Sequence, residues 1–181
     1  RDANWWVLDL ATGDTVNITK SAPVSFVNDE DDHNNLFPPS RQALGWSRDG
    51  NYVLLSDGWD IWRVETKANG AAVNLTGDGK ATQTRYQRTY NFPTGRVINP
   101  QPGIDLSKPL WFHIYGEWTK NEGLARVDVN KPGAQRIFFE PARFNITKAR
   151  DAETYIYTRQ TFTQYPNYHV FGNGFSNGYQ I

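Results

Sequence analysis

The serine in residues 174–178, GFSNG, stands in a G-x-S-x-G string, the pattern of a nucleophile elbow. An elbow works because a strand feeds a sharp turn that places the serine at the start of a helix, with the acid and the base following along the chain. The sequence reaches Ile181 before a helix, an acid or a base can follow, and Asn-Gly pairs flank Ser176 as they do in hairpin turns. We therefore interpret this string as a turn and assign no catalytic residue in this chain.

The histidines and the acidic residues give a second set of candidates. His33 follows residues 29–32, DEDD, whose carboxylate oxygens could hold a hard cation such as calcium. Calcium loops space their ligands at alternate positions and bend at a glycine, and this run does neither, so we favour a solvated acidic loop and assign no metal ligand. His113 and His169 lie in apolar strands without a serine or a carboxylate at a useful spacing, and we interpret both as structural.

The composition excludes several classes of protein. The 181 residues carry 19 basic and 19 acidic side chains, so the formal net charge is zero and nucleic acid is not an expected partner. No apolar run approaches the roughly 18 residues of a membrane-spanning helix. The absence of cysteine excludes disulfides and thiolate metal sites, and residues 77–80, GDGK, are too short for a phosphate loop. No cofactor is expected.

Short strands joined by tight turns are the elements that must position these residues. Aromatic side chains are abundant, with 7 Trp, 9 Tyr and 10 Phe, and together with 15 Gly and 10 Pro they favour an all-β fold. The clearest unit, residues 43–76, contains three turn dipeptides that end in glycine and divide it into antiparallel hairpins. The turns are Asp49-Gly50, Asp57-Gly58 and Asn69-Gly70, and the strands that follow them are Tyr52–Ser56, residues 60–65 and residues 71–75.

This unit recurs along the chain. Equivalent positions fall at Leu8, Val64, Val127 and Phe171, about 44 to 63 residues apart, a period typical of four-stranded propeller blades. We therefore predict a single all-β domain, a partial β-propeller of about three to four blades of four-stranded antiparallel sheet. The predicted blades cover residues 1–27, 43–80, 96–140 (with a turn at Pro132-Gly133) and 146–181, and the loops are residues 28–40 and 83–107, the second of which has room for an outer or inner strand.

Two further patterns have structural interpretations. The tryptophans of the first half are expected to pack between blades rather than to line a ligand channel. Three N-x-T strings recur at the predicted blade ends, where we expect their Asn and Thr side chains to bond local backbone instead of marking glycosylation. The tryptophans are Trp5, Trp6, Trp46, Trp59 and Trp62, and the strings are residues 17–19, 74–76 and 145–147.

Several motifs resemble those of one group of propellers. Residues 46–50, WSRDG, resemble the W-S-x-D-G core of TolB-like propeller repeats. Residues 56–80, SDGWDIWRVETKANGAAVNLTGDGK, resemble the propeller of prolyl oligopeptidase-family (dipeptidyl-peptidase-like) serine peptidases, in which a D-x-Y-D-I-W strand leads to N-L-T-x-G-x-G. Trp59 stands where that family has Tyr. Further matches follow in the family's order, and the resemblance covers residues 38–181. They are Gln87-Arg88 and residues 118–123, 149–152 and 165–167.

The resemblance implies a supporting role for this chain. In that family the propeller precedes an α/β-hydrolase domain that carries the catalytic Ser, Asp and His, and the propeller restricts entry to peptides. The expected partners are therefore a C-terminal hydrolase domain of the same parent chain and peptide substrates, and open propeller edges are expected to self-associate. A sequence without methionine fits a segment of a longer protein, and a periplasmic or secreted location is favoured.

Two other classes of function stay open at this point. A stand-alone TolB-like propeller would bind protein partners without any hydrolase domain. A propeller glycosidase would need carboxylates that converge on a central channel. The motifs favour the peptidase propeller, and the sequence encoded downstream of Ile181 would distinguish the three.

Overall fold

The computed structural model describes residues 3–90, 103–172, 175 and 178–181, and this part of the chain is built almost entirely from short β-strands. The one α-helix that it describes, α1 (Gly79–Thr82), has four residues. The strands are β1 (Trp6–Leu8), β2 (Thr15–Asn17), β3 (Gly45–Trp46), β4 (Tyr52–Ser56), β5 (Ile61–Glu65), β6 (Ala72–Asn74), β7 (Thr84–Thr89), β8 (Leu110–Gly116), β9 (Glu122–Asp128), β10 (Lys131–Glu140), β11 (Arg143–Lys148), β12 (Tyr155–Gln160), β13 (Asn167–Phe171) and β14 (Tyr179–Gln180).

The strands form antiparallel sheets in which neighbours along the chain are also neighbours in space. Sheet 1 contains β1 and β2. The other sheets each contain four strands in chain order: sheet 2 has β3 to β6, sheet 3 has β7 to β10 and sheet 4 has β11 to β14. None of these described sheets closes on itself. The all-β prediction is therefore confirmed, and the successive four-stranded meanders agree with a partial propeller.

Sheet 2 is covered on both of its faces. Side chains of a strand alternate between faces, and the strands of sheet 2 place apolar residues on each. Val53 and Val64 pack toward sheet 1 together with Phe26, which lies in the loop after that sheet. Leu54 and Ile61 pack toward sheet 3. Sheet 2 is thus a central layer, as a blade with a neighbour on each side must be.

Sheet 3 continues the same stack. Phe112 and Ile114 of β8 are fully buried on the side of sheet 2. Leu124 of β9 lies on the opposite face and packs with Tyr155 and Phe171 of sheet 4. The sheets therefore lie face to face in the order in which they occur along the chain, with one apolar layer at each junction.

Hydrogen bonds join equivalent strands of neighbouring sheets. At the last strands, the Gly133 N–H in β10 donates to the carbonyl oxygen of Leu75, just after β6, at 2.9 Å. At the first strands, the hydroxyl of Tyr90, just after β7, accepts from the Ile146 N–H of β11 at 2.8 Å and donates to the Ile146 carbonyl at 3.1 Å. The first strands of the sheets therefore lie on one side of the stack and the last strands on the other.

The N-x-T string at residues 74–76 closes sheet 2 as predicted. Asn74 Oδ1 accepts from the Thr76 N–H at 3.0 Å. The Thr76 hydroxyl accepts from the Ile61 N–H at 3.1 Å and donates to Asp60 Oδ1 at 2.6 Å. Asp60 and Thr76 are both buried, and each provides a hydrogen-bond partner for the other inside the core.

The string at residues 17–19 repeats this arrangement in sheet 1. The Thr19 N–H donates to Asn17 Oδ1 at 3.1 Å, and the Thr19 hydroxyl accepts from the Trp5 N–H at 2.8 Å. The prediction is wrong for residues 145–147, which lie inside β11 rather than at a strand end. There the alternation of the strand buries only the middle residue, Ile146.

The third and fourth sheets begin earlier than the sequence predicted. The first strand of sheet 3 is β7, which precedes residues 96–140 and belongs to the loop-rich stretch 83–107, where a strand was considered. Sheet 4 starts at β11, three residues before 146. The predicted turn at Pro132-Gly133 is also wrong, because the chain turns at residues 129–130. Pro132 and Gly133 instead form a bulge inside β10, where the missing proline N–H interrupts no regular pairing.

Four of the five tryptophans divide into two groups, and the fifth, Trp59, is half-buried in the β4–β5 turn. Trp62 is buried and meets Phe26 edge to face, with ring centroids 6.3 Å apart, and Trp5 borders the same apolar layer, so the packing prediction is confirmed for both. Trp6 and Trp46 are 52% and 46% exposed, and for them packing between blades stays a prediction. Both lie on strands whose alternation turns one face outward.

Candidate functional site

An arginine-centred network joins three segments at one end of the first strands. Arg85, near the start of β7, donates from Nη1 and Nη2 to the two carboxylate oxygens of Glu30, at 2.8 and 3.1 Å. Its Nε donates to Glu117 Oε2 at 2.6 Å, and Nη1 also reaches the Gly58 carbonyl at 3.2 Å. The planar guanidinium thus holds the acidic loop, the β4–β5 turn and the β8–β9 turn together.

The β4–β5 turn supplies an aromatic surface for Arg85. The guanidinium carbon lies 4.0 Å from the centre of a Trp59 ring, a cation–π contact. The turn itself is organised by Asp57, whose Oδ1 accepts from the backbone N–H groups of Trp59 and Asp60 at 2.8 and 2.7 Å. Asp57 Oδ2 also accepts from Trp62 Nε1 at 2.9 Å, so the S-D-G-W-D-I-W motif is a rigid support for the network.

A second arginine, Arg41, lies beside the first but is paired less closely. Its Nη2 is 3.5 Å from Glu30 Oε2 and 3.7 Å from Asp29 Oδ1. Its guanidinium lies directly over Gly58, where an added Cβ would stand 2.6 Å from Arg41 Cζ. The positive φ of 101° favours glycine at this position, and a Cβ there would require the end of the Arg41 side chain to move.

Arg41 forms part of a pocket of about 580 Å³ at the first strands of sheets 2 and 3. We call this cavity the Arg41 pocket, and its wall combines polar side chains with a smaller apolar part. The size is within the range of cavities that hold small ligands. It is lined by Asn28, residues 39–44, Ser56, Gln87 and Ile104.

Behind the pocket wall, His113 connects Gln87 to a carboxylate. Its Nδ1 lies 3.0 Å from Gln87 Oε1, and its Nε2 lies 3.4 Å from Glu122 Oε2. These three residues come from the adjacent strands β7, β8 and β9. The sequence shows no carboxylate at a useful spacing from His113, but the pairing of β8 with β9 brings Glu122 beside it.

The charges of the network perturb one another. The hydrogen bond from Arg85 lowers the pKa of Glu30 below its ordinary value, and the positive charges of Arg85 and Arg41 act in the same direction against partial burial. The same bond raises the pKa of Arg85. The Glu30–Arg85 pair therefore stabilises the loop above the ordinary glutamate pKa of about 4.3 and loses that contribution as the pH falls through the lowered value.

We expect Arg85→Gln to raise the pKa of Glu30 toward its ordinary value, because the charged donor with the shortest contacts is removed. Titration of the Glu30 side-chain carboxyl by carbon NMR measures this directly. Arg41→Gln is the matched control and should shift the Glu30 pKa less, since its closest approach is 3.5 Å. An equal response to both substitutions would contradict the pairing described above.

The remaining candidates from the sequence are Ser176, His169 and His33. Ser176 lies outside the described residues, while Phe175 of the same string packs on Phe171, with ring centroids 4.4 Å apart. His169 stacks on Tyr157 at 4.6 Å, which agrees with a structural role. His33 is exposed, and its Nδ1 lies 2.8 Å from Asp31 Oδ1.

The acidic loop offers a cluster of possible ligand atoms on Asp31, Asp32 and His33, all within 4.8 Å of one another. The Asp31 carboxylate is already engaged by His33 and by Asn35 Nδ2, the latter at 2.7 Å. The bond from His33 is the main cause of a lowered Asp31 pKa. A carboxylate satisfied by its own loop fits the solvated-loop interpretation.

No protein-family model matches the sequence, and no curated protein matches it significantly. Within the described part of the chain, no helix combines the length and apolarity that crossing a bilayer requires.

Proposed function

We propose that this chain is a non-catalytic propeller segment of a prolyl oligopeptidase-type serine peptidase, which controls the access of peptides to a hydrolase domain encoded after it. The observation that carries the proposal is the agreement between motif order and strand order. The family-like motifs follow one another along successive, stacked four-stranded sheets. Residues 46–50 and 149–152 lie at the connection between the first two strands of their sheets, residues 118–123 and 165–167 lie at the connection between the second and third strands, and residues 87–88 lie inside β7. The comparisons name no family, so the proposal depends on these motifs and on the fold.

The W-S-x-D-G motif supports this proposal through its local chemistry. Ser47 and Asp49 stand in the turn between β3 and β4, where the Ser47 hydroxyl donates to Asp49 Oδ1 at 2.5 Å and accepts from the Tyr52 N–H at 2.9 Å. Asp49 Oδ1 also accepts from the Asn51 N–H at 3.1 Å. A motif that builds the turn of a blade is informative about the propeller and silent about catalysis.

The gating role is supported by the position of the Arg41 pocket. The pocket lies at the first strands, the side of the stack that faces the axis when blades of this type close into a ring. The hydrogen bond between Arg85 and Glu30 holds the acidic loop at the edge of this pocket. Side chains in such a position can contact a peptide that travels toward a catalytic domain.

A stand-alone propeller that binds protein partners is the second candidate, and an exposed apolar groove favours it. Beside sheet 1, a groove of about 830 Å³ is lined by Trp6, Leu36, Phe37 and other residues of the N-terminal part. These three side chains are 52%, 89% and 58% exposed. Apolar grooves of this kind mark protein-interaction sites in many soluble proteins.

The decisive experiment uses the full-length parent protein. It should hydrolyse short chromogenic peptides, be inhibited by a serine-directed fluorophosphonate, and carry the label on a serine beyond Ile181. Ser176→Ala should leave kcat unchanged, whereas substitution of the labelled serine should abolish activity. Labelling of Ser176, or a parent without any fluorophosphonate-reactive serine after Ile181, would exclude the peptidase and favour the binding module.

A further inference from the structure

The Arg41 guanidinium is held in place but incompletely paired. Glu30 is committed to Arg85 through contacts of 2.8 and 3.1 Å, which leaves 3.5 Å between Glu30 and Arg41. Within the described residues, Arg41 Nε is buried and has no hydrogen-bond acceptor. A buried charged donor without an acceptor is uncommon and costly. Because protein atoms cover Nε, a ligand in the pocket would act on this side chain through the charge of the guanidinium.

The rest of the Arg41 pocket contains neutral groups. Arg41 is the only ionisable side chain among the described residues that line the cavity. Hydroxyls and amides from Ser40, Gln42 and Ser56 surround it, and Leu44 and Ile104 add apolar surface. The Glu30 and Asp29 carboxylates, 3.5 and 3.7 Å from Arg41 Nη2, stand outside this lining, so a ligand carboxylate in the pocket would compete with these two long contacts for the guanidinium.

Gln87 adds an oriented donor to this wall. Its Oε1 faces His113 Nδ1 at 3.0 Å, so its NH2 group is the end that can donate to a ligand. Glu122 lies on the far side of His113, with its Oε2 3.4 Å from Nε2, so the imidazole stands between the Gln87 and Glu122 side chains. The His113–Glu122 pair therefore acts on the pocket by positioning Gln87.

We propose that the Arg41 pocket binds a carboxylate group of a peptide, with Arg41 as the charged anchor and Gln87 as a second donor. A guanidinium can donate two N–H groups to a planar carboxylate in a bidentate arrangement. The volume of about 580 Å³ accommodates the carboxylate together with adjacent peptide atoms. The peptide nature of the ligand rests on the proposed function, whereas the preference for a carboxylate rests on the pocket alone.

The test measures the binding of three unlabelled, N-acetylated pentapeptides to the 181-residue chain by isothermal titration calorimetry. The first, Gly-Ala-Gly-Ala-Ala, has a free C-terminal carboxylate, and the second is the same peptide as its C-terminal amide. The third is the amide with aspartate at the third position. We expect at least tenfold tighter binding of one carboxylate peptide than of the neutral amide, and the tighter of the two identifies a C-terminal or a side-chain carboxylate as the source.

The variants assign that preference to the pocket. Arg41→Gln should abolish the difference between carboxylate and amide peptides, while Arg150→Gln, which removes an exposed arginine far from the pocket lining, should retain it. Circular dichroism of both variants checks that they fold. The comparison of peptides on the unsubstituted chain needs no variant, so the proposal stays testable if Arg41→Gln is unstable.

Three results would overturn the proposal: no binding of any of the peptides, equal affinity for carboxylate and amide, or a carboxylate preference that survives in Arg41→Gln. These outcomes are distinct from failure of the proposed function, which is decided by serine labelling beyond Ile181 in the parent. If the chain prefers carboxylate peptides but the parent has no labelled serine, the pocket is supported as part of a binding module. If the parent has a labelled serine but the chain shows no carboxylate preference, only the peptidase assignment is supported.

Discussion

Replacing Phe112 by alanine is expected to lower the free energy of unfolding by about 3–5 kcal/mol. Phe112 is fully buried in the layer between sheets 2 and 3, together with Ile61, Leu75 and Tyr86. Because neighbouring backbone strands are fixed by hydrogen bonds, they cannot close the cavity completely, and the cost includes both lost burial and residual empty volume. Urea unfolding followed by circular dichroism and by tryptophan fluorescence measures the loss.

Phe162→Ala is the matched control for this experiment. Phe162 lies in the loop between β12 and β13 and is fully exposed, so its truncation should change the unfolding free energy by no more than about 0.5 kcal/mol. The difference between the two phenylalanines isolates the contribution of the junction between sheets. A loss below about 1 kcal/mol for Phe112→Ala would show that sheets 2 and 3 do not share a packed core.

The parts of the fold that could be predicted are those that residues adjacent in the sequence determine. Asp49-Gly50 and Asp57-Gly58 both stand in turns with positive φ at glycine, and the strand between them has the predicted bounds, Tyr52–Ser56. Such turns depend on the backbone freedom of one or two residues. Local sequence is therefore sufficient to place the hairpins of sheet 2.

The errors occurred where local and tertiary preferences conflict. Pro132 and Gly133 have the composition of a turn, yet they lie in β10 because a bulge accommodates them and the Gly133 N–H bonds to Leu75 of sheet 2. Residues 145–147 repeat a string that closes other sheets, but the alternation of β11 dominates there. A tertiary partner decided the outcome in the first case and strand pairing in the second.

The arginine network could not be derived from the sequence. Arg85 is 55 positions from Glu30 and 32 from Glu117, and only the stacking of sheets brings them together. The Gln87–His113–Glu122 connection likewise requires the register of three strands. The one local signal was the S-D-G-W-D-I-W motif, which marks the β4–β5 turn that supports Arg85 without indicating which charges meet there.

The two outer faces of the stack are apolar and exposed. Trp6 and Leu8 lie on the same face of β1, opposite the side that packs on sheet 2, and are 52% and 53% exposed. At the other end, Ile156 and Tyr168 of sheet 4 are 38% and 53% exposed. Blades of a propeller normally cover such faces with the next blade, so in solution these surfaces are available for association.

We therefore expect the 181-residue chain to associate as its concentration rises, with a mass above that of the monomer in light scattering. The double substitution Trp6→Lys and Leu8→Lys should shift association to at least tenfold higher concentration, because two charges would have to be buried at the contact. Phe162→Lys adds a charge to an exposed loop and should leave the mass profile unchanged. A stable monomer at high concentration would show that these faces do not drive contact, and an equal effect of both sets of substitutions would indicate net charge rather than the face of sheet 1 as the cause.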